Sequence, residues 1–306
     1  MASQNWFGEH ERVTATAIGA LANQIGVALA FFFCPIVVPT ADGNDWDITL
    51  LMIYTAIISV ASFILIVLFF KSRPKTSPSR SSLLLSRNTE KYSQLHVVKC
   101  LAKDVNYQNI FHSFGIVLGV FFAITTVLEQ MLVKADFPPN TTIVLGTILV
   151  LIGMFGAMLF GWLADRTRAY KTLIIICIVF SFLPSVVFAI VFWLYQRGDM
   201  GPWLSSVLLY AAGALMGFFM TALLPLCMDL SVEITFPLPE ATVSNILMLS
   251  TQFYAIVFII IFTIELEYFS VDSVNVTMVV SLAVICFVIL FFRGQTKRLT
   301  AEAEKN

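Results

Sequence analysis

Asn245 and Gln252 stand seven residues apart in the apolar run SNILMLSTQ, and on a helix that spacing puts both amides on one face. An amide surrounded by hydrocarbon needs a hydrogen-bond partner. Two arrangements supply one: a bond to a neighbouring helix, worth ~0.6 kcal/mol, or a polar cavity that holds a solute. Gln24 poses the same alternative, on a stripe with Thr16, Ala20 and Ala28 at intervals of four. A third stripe carries Gly115, Gly119, Phe122, Thr126 and Glu129 at spacings of three and four. The face of its aromatic ring attracts a cation that has no exchangeable protons. Glu129, close to the end of its run, can draw cations in or titrate; an interfacial carboxylate fits the position equally well. The sequence contains no Ser/His/Asp set, no Gly-rich phosphate loop and no metal-ligand spacing. We therefore expect no catalytic residues, no cofactor, no metal and no nucleic-acid partner. His10, His96 and His112 are scattered, and Cys34, Cys100, Cys177, Cys227 and Cys286 read as small apolar residues.

The elements that position these side chains are membrane helices. The 306 residues are 58% hydrophobic and 12% charged, whereas a soluble domain carries roughly 25% charged residues. Apolar runs of the length that crosses a hydrocarbon core predict eight spans, at 13–38, 48–70, 110–132, 142–164, 172–195, 203–228, 241–264 and 274–292. The start, MASQNWFGEHER, lacks the basic-then-apolar pattern of a cleaved leader. Residues 71–109 are Ser-rich and basic and read as a linker. Residues 1–70 and 110–293 then form two membrane parts, with 294–306 as a tail.

With an even number of spans both termini share a side, and that side collects every Lys and Arg except Lys134 and Arg197. The positive-inside rule makes it cytoplasmic. The opposite loops hold Asp42, Asp45, Asp47, Asp136, Asp199, Glu265, Glu267 and Asp272. Two sequons, Asn140-Thr-Thr and Asn275-Val-Thr, fall on that opposite side and are expected to be glycosylated. The partners these features imply are the lipid bilayer and a small-molecule solute.

The stretch GWLADRTRAYK at 161–171 sits at a cytoplasmic helix end. Gly161 there would let two helices approach closely, and Asp165 would favour the N–H groups that begin a neighbouring helix. Arg166, Arg168 and Lys171 could latch onto Asp229, Glu233 and Glu240 in DLSVEITFPLPE, a predicted cytoplasmic segment without Lys or Arg. An ordinary basic anchor is the plainer alternative.

This Gly-x-x-x-Asp-Arg-x-Arg pattern resembles the cytoplasmic motif of the major facilitator superfamily. The resemblance implies an all-α fold of twelve helices in two halves, with the motif after helices two and eight. Six spans follow the linker and two precede it, so the spans would correspond to helices five to twelve, without the first four. Helices six, nine and twelve would face lipid through ILIVLFF, LIIICIVF and VVSLAVICFVILFF. The stretches WFGEHERVTATAIGALANQIGVALAF, GVFFAITTVLEQM and LSVEITFPLPEATVSNILMLSTQ resemble, more closely, the feline leukaemia virus subgroup C receptor-related family.

That second resemblance implies alternating-access transport of choline, ethanolamine or heme. It implies a cation held among aromatic rings, with glutamines at Gln24 and Gln252 and an aromatic at Phe122. Choline-transporting members carry tyrosine where Phe122 stands, so this chain lacks a hydroxyl there. The competing expectation is a truncated, non-transporting isoform that associates with a full-length relative. The plasma membrane is the expected location, with a lysosomal or other internal membrane as the alternative. Tyr92-Ser-Gln-Leu95 fits a short sorting signal.

Overall fold

The computed structural model describes residues 22, 25–31, 33, 34, 36–38, 45–70, 93–138, 140–167, 169–235 and 238–290, with backbone only for 45, 165 and 290. Two compact units, Met1–Lys91 and Tyr92–Asn306, divide the chain. All secondary structure among the described residues is helical. Seven helices there have the length and apolar composition to cross a membrane, which makes this an integral membrane protein. The expected span at 13–38 lies largely outside the described residues; 25–31 is helical.

In the first unit, helix α1 (Asp45–Phe69) shows how an apolar helix tolerates hydroxyls. Ser59 donates to the Thr55 carbonyl at 2.7 Å and Ser62 to the Ile58 carbonyl at 2.8 Å. Satisfied on their own helix, they need no neighbour. No part of its apolar stretch is buried among the described residues.

The second unit contains α2 (Gln94–Lys103), α3 (Val105–Lys134), α4 (Asn140–Thr167), α5 (Tyr170–Gln196), α6 (Pro202–Thr235), α7 (Glu240–Tyr268) and α8 (Val271–Leu290). The most extensive packing joins α4 to α6, α3 to α7 and α5 to α6, while α8 lies against α5 and α3. Two expected boundaries move. Part of the segment read as linker is the helix α2, and the next helix starts at Val105 instead of 110. The apolar count stops at polar Asn106, Gln108 and Asn109, but the backbone does not. Asp104 ends α2 and caps α3, accepting from the N–H groups of Asn106 at 3.0 Å and Tyr107 at 3.2 Å. At their other ends α3 and α5 finish alike. Phe137 N–H donates to the Leu132 carbonyl across Asp136 (φ 56°), and Asp199 N–H to the Leu194 carbonyl across Gly198 (φ 78°).

Helices α4 and α6 cross where side chains vanish. A Cβ on Gly156 would overlap the Phe218 carbonyl, and one on Gly217 the Leu149 carbonyl. Thr221 Oγ1 donates across this contact to the Gly153 carbonyl at 2.5 Å. The close approach expected at Gly161 is thus made one to three turns earlier. A Cβ on Gly161 would stand 3.7 Å from Pro225, an ordinary contact. On the outside, α5 exposes Val179, Phe180, Leu183 and Val187, and α8 exposes Val276, Val280, Val284 and Phe287. Both are continuous apolar stripes, fit for lipid.

Candidate solute-binding face

Helices α3 and α7 run side by side in the same direction. Tyr107 Oη donates to the Val243 carbonyl at 2.9 Å near their starts, and the Lys134 ammonium donates to the Leu266 carbonyl near their ends. Between them the Tyr254 hydroxyl and His112 Nδ1 are 2.7 Å apart. Two glycines permit this proximity. A Cβ on Gly115 would come within 2.6 Å of Tyr254 Cδ2, and one on Gly119 within 2.6 Å of Tyr254 Cβ. The expected stripe therefore divides. Gly115 and Gly119 are buried packing positions against α7, while Phe122 is half-buried and Thr126 and Glu129 are exposed.

On α7 the amides do share a face. Asn245 and Gln252 are both exposed, on a stripe continued by Ile256, Ile260, Thr263 and Glu267. Neither amide hydrogen-bonds to a described residue, so the interhelical bond that would satisfy them is not made within this unit. The two stripes adjoin at the C-terminal ends of the helices, where Gln130, Val133 and Lys134 of α3 meet Thr263, Leu266 and Glu267 of α7 around an open depression of about 350 Å³. Lys134 is turned onto the end of α7, where a cation meets the negative pole of the helix. Glu129 and Glu267 are left exposed nearby.

The resulting surface combines amides, one aromatic face and carboxylates at its rim. It can hold a hydrated or quaternary ammonium without a formal ion pair in its depth. Gln24 lies outside the described residues. The His112–Tyr254 pair was not anticipated, although a histidine inside an apolar run is a usable signal, since ionisable groups in membrane helices need a named partner.

The motif at 161–171 is only partly described. The Asp165 side chain and all of Arg168 lie outside the described residues. The Arg166 guanidinium sits 5.5 Å from the Trp162 ring centre, a cation–π contact within its own helix. Glu233 is 7% exposed near the end of α6, Glu240 is half-buried in the first turn of α7, and Lys171 is exposed. The two sequons part company. Asn140 is exposed at the first residue of α4. Asn275 is inside α8 and 2% exposed, and Thr277 of the same sequon donates to Glu265 Oε1 at 2.5 Å. The folded chain has no room for a glycan at Asn275, because the helix begins at Val271, ahead of the expected 274, and buries that side chain.

Residues 2–235 match the model of the Major Facilitator Superfamily. The chain belongs to this superfamily. Among its relatives, the choline/ethanolamine transporter FLVCR1 of Felis catus is 33% identical over 260 residues, 83% of this chain and 45% of the relative. The choline/ethanolamine transporter FLVCR2 of Homo sapiens is 28% identical over 305 residues, 98% of this chain and 56% of the relative. An uncharacterized MFS-type transporter, C09D4.1 of Caenorhabditis elegans, is 30% identical over 303 residues, 97% of this chain and 50% of the relative. This superfamily member thus spans about half the length of the curated relatives it matches. The resemblance read from the motifs and the all-helical fold are both borne out.

Proposed function

We propose that the chain serves transport of a small organic cation, choline or ethanolamine, across a membrane by alternating access, with the solute held on the α3–α7 face. The observation that carries this reading is the uncovered pair of amides at Asn245 and Gln252, beside a helix that presents Phe122 and Glu129. The names of the relatives support the solute class. The physics supports it too: choline's quaternary ammonium donates no hydrogen bond, so a ring face must replace part of its water, while the hydroxyl of either solute and ethanolamine's primary ammonium can donate to the amide oxygens. Heme, a dianion at neutral pH, would be repelled by the exposed Glu129 and Glu267. Alternating access follows from the superfamily's two-halves design, in which a fixed site faces each side in turn.

The test is uptake of labelled choline and ethanolamine by cells expressing the chain, normalised to the amount of protein in the membrane. Gln252→Ala removes a hydrogen-bonding group worth ~1 kcal/mol, so uptake at low solute should fall roughly fivefold at unchanged protein level. Unchanged uptake would take Gln252 out of the site. No uptake by the chain alone, with altered uptake by a co-expressed longer relative, would favour the regulatory association instead.

A further inference from the structure

The short helix α2 is not used by the transport reading. We propose that it is a membrane-surface helix that binds anionic lipid headgroups through Lys99 and Lys103.

Its position follows from α3, to which Asp104 joins it directly. At 30 residues α3 is about 45 Å long, longer than the ~30 Å hydrocarbon core. The polar residues Asn106, Gln108 and Asn109 put its first turn in the headgroup layer. Helix α2 packs against both α3 and α7, burying Val97 (1% exposed) and Leu101 (2% exposed). It is thereby fixed at the level where headgroups meet acyl chains.

The rest of its surface has the two parts that such a place demands. On a helical projection, Val98, Ala102 and Leu95 continue the apolar arc from Val97 and Leu101, and Lys99 and Lys103 follow directly after them. Leu95 is 73% and Val98 46% exposed. The adjoining Val105, at the first position of α3, is 79% exposed. Lys99 and Lys103 are exposed and form no ion pair with a described residue. An apolar edge of this width immersed at the boundary, with lysines beside it, is the pattern of an interfacial helix. The charge selects the lipid. This is the side of the membrane that collects the basic loops, and a leaflet carrying phosphatidylserine-type headgroups attracts each lysine by ~1 kcal/mol.

Hydrogen–deuterium exchange on the full chain in nanodiscs tests this without labels. Amides of 94–103 should exchange roughly thirtyfold more slowly with phosphatidylserine present than in phosphatidylcholine alone, the equivalent of ~2 kcal/mol for two lysines. The double variant Lys99→Gln/Lys103→Gln should lose that difference, with exchange in α3 to α8 unchanged as the control on folding. Raised salt should shrink the difference in the wild type. Equal exchange in the two lipids would overturn the proposal, as would a difference that survives in the double variant. Protection that ignores lipid but is lost in Leu95→Ser/Val98→Ser would mean that protein covers this face, and would overturn it too.

Discussion

On the proposed solute face, Phe122 has a ring but no hydroxyl, so its contribution to holding a cation should come from the quadrupole alone. Replacing it with leucine keeps the position apolar and removes the ring. The loss is ~0.5–2 kcal/mol, which predicts a KM for choline raised roughly twofold to thirtyfold with little change in protein level. Phe122→Tyr keeps the ring and should hold KM near the wild-type value. Kinetics of choline uptake for the three forms decide it; a leucine variant with wild-type KM would place the ring away from the solute. At this scale much was legible beforehand. The shared face of Asn245 and Gln252 followed from a seven-residue spacing and holds in the structure. The roles of Gly115 and Gly119 did not follow, because spacing places a glycine on a face without saying what approaches that face. Tyr254 is what approaches, and it belongs to a helix more than a hundred residues further on.

Helix pairs obey the same distinction between a residue's position and its neighbour. The glycine in the facilitator motif, Gly161, invited the reading that two helices touch there, yet the contact of α4 with α6 is made at Gly153, Gly156 and Gly217. Gly156→Ala would drive a methyl into the Phe218 carbonyl, and backbone cannot rotate aside as a side chain does. Overpacking of this kind costs ~1–3 kcal/mol. Gly161→Ala meets only Pro225 at ordinary contact distance and should be close to neutral. Thermal unfolding of the full chain in detergent should therefore show a clear drop in midpoint for Gly156→Ala and almost none for Gly161→Ala. The reverse order would mean that the motif glycine carries the crossing after all. Helix α2 escaped the sequence reading for a different reason. Ten residues holding His96, Lys99 and Lys103 fall far short of a span, and a search for spans passes over a helix that lies along the surface. The clue was present in the spacing of Val97, Val98 and Leu101.

Across the sequence, orientation rests on Lys and Arg: all but Lys134 and Arg197 fall on one set of predicted helix ends, while Asp and Glu divide between both sides. The sequons offer an independent check, and the structure changes what that check should show. Helix α4 begins at Asn140, and its candidate span of 25 residues is about 38 Å long. That exceeds the ~30 Å core, so its exposed first residue stands clear of hydrocarbon. Asn275 is closed inside the bundle at 2% exposure. A glycan there would demand that the first turn of α8 and the Thr277–Glu265 hydrogen bond come apart. With the Lys- and Arg-poor ends on the lumenal side, the chain made in cells should therefore carry sugar at Asn140 alone. Glycosidase treatment should sharpen and speed its band on a gel. Asn140→Gln should give the same mobility without enzyme, and Asn275→Gln should leave the wild-type band unchanged. Sugar on neither asparagine would count against the charge-based orientation. Sugar on Asn275 would show that α8 is still open when the chain meets the transferase, before α3 and α5 close over it.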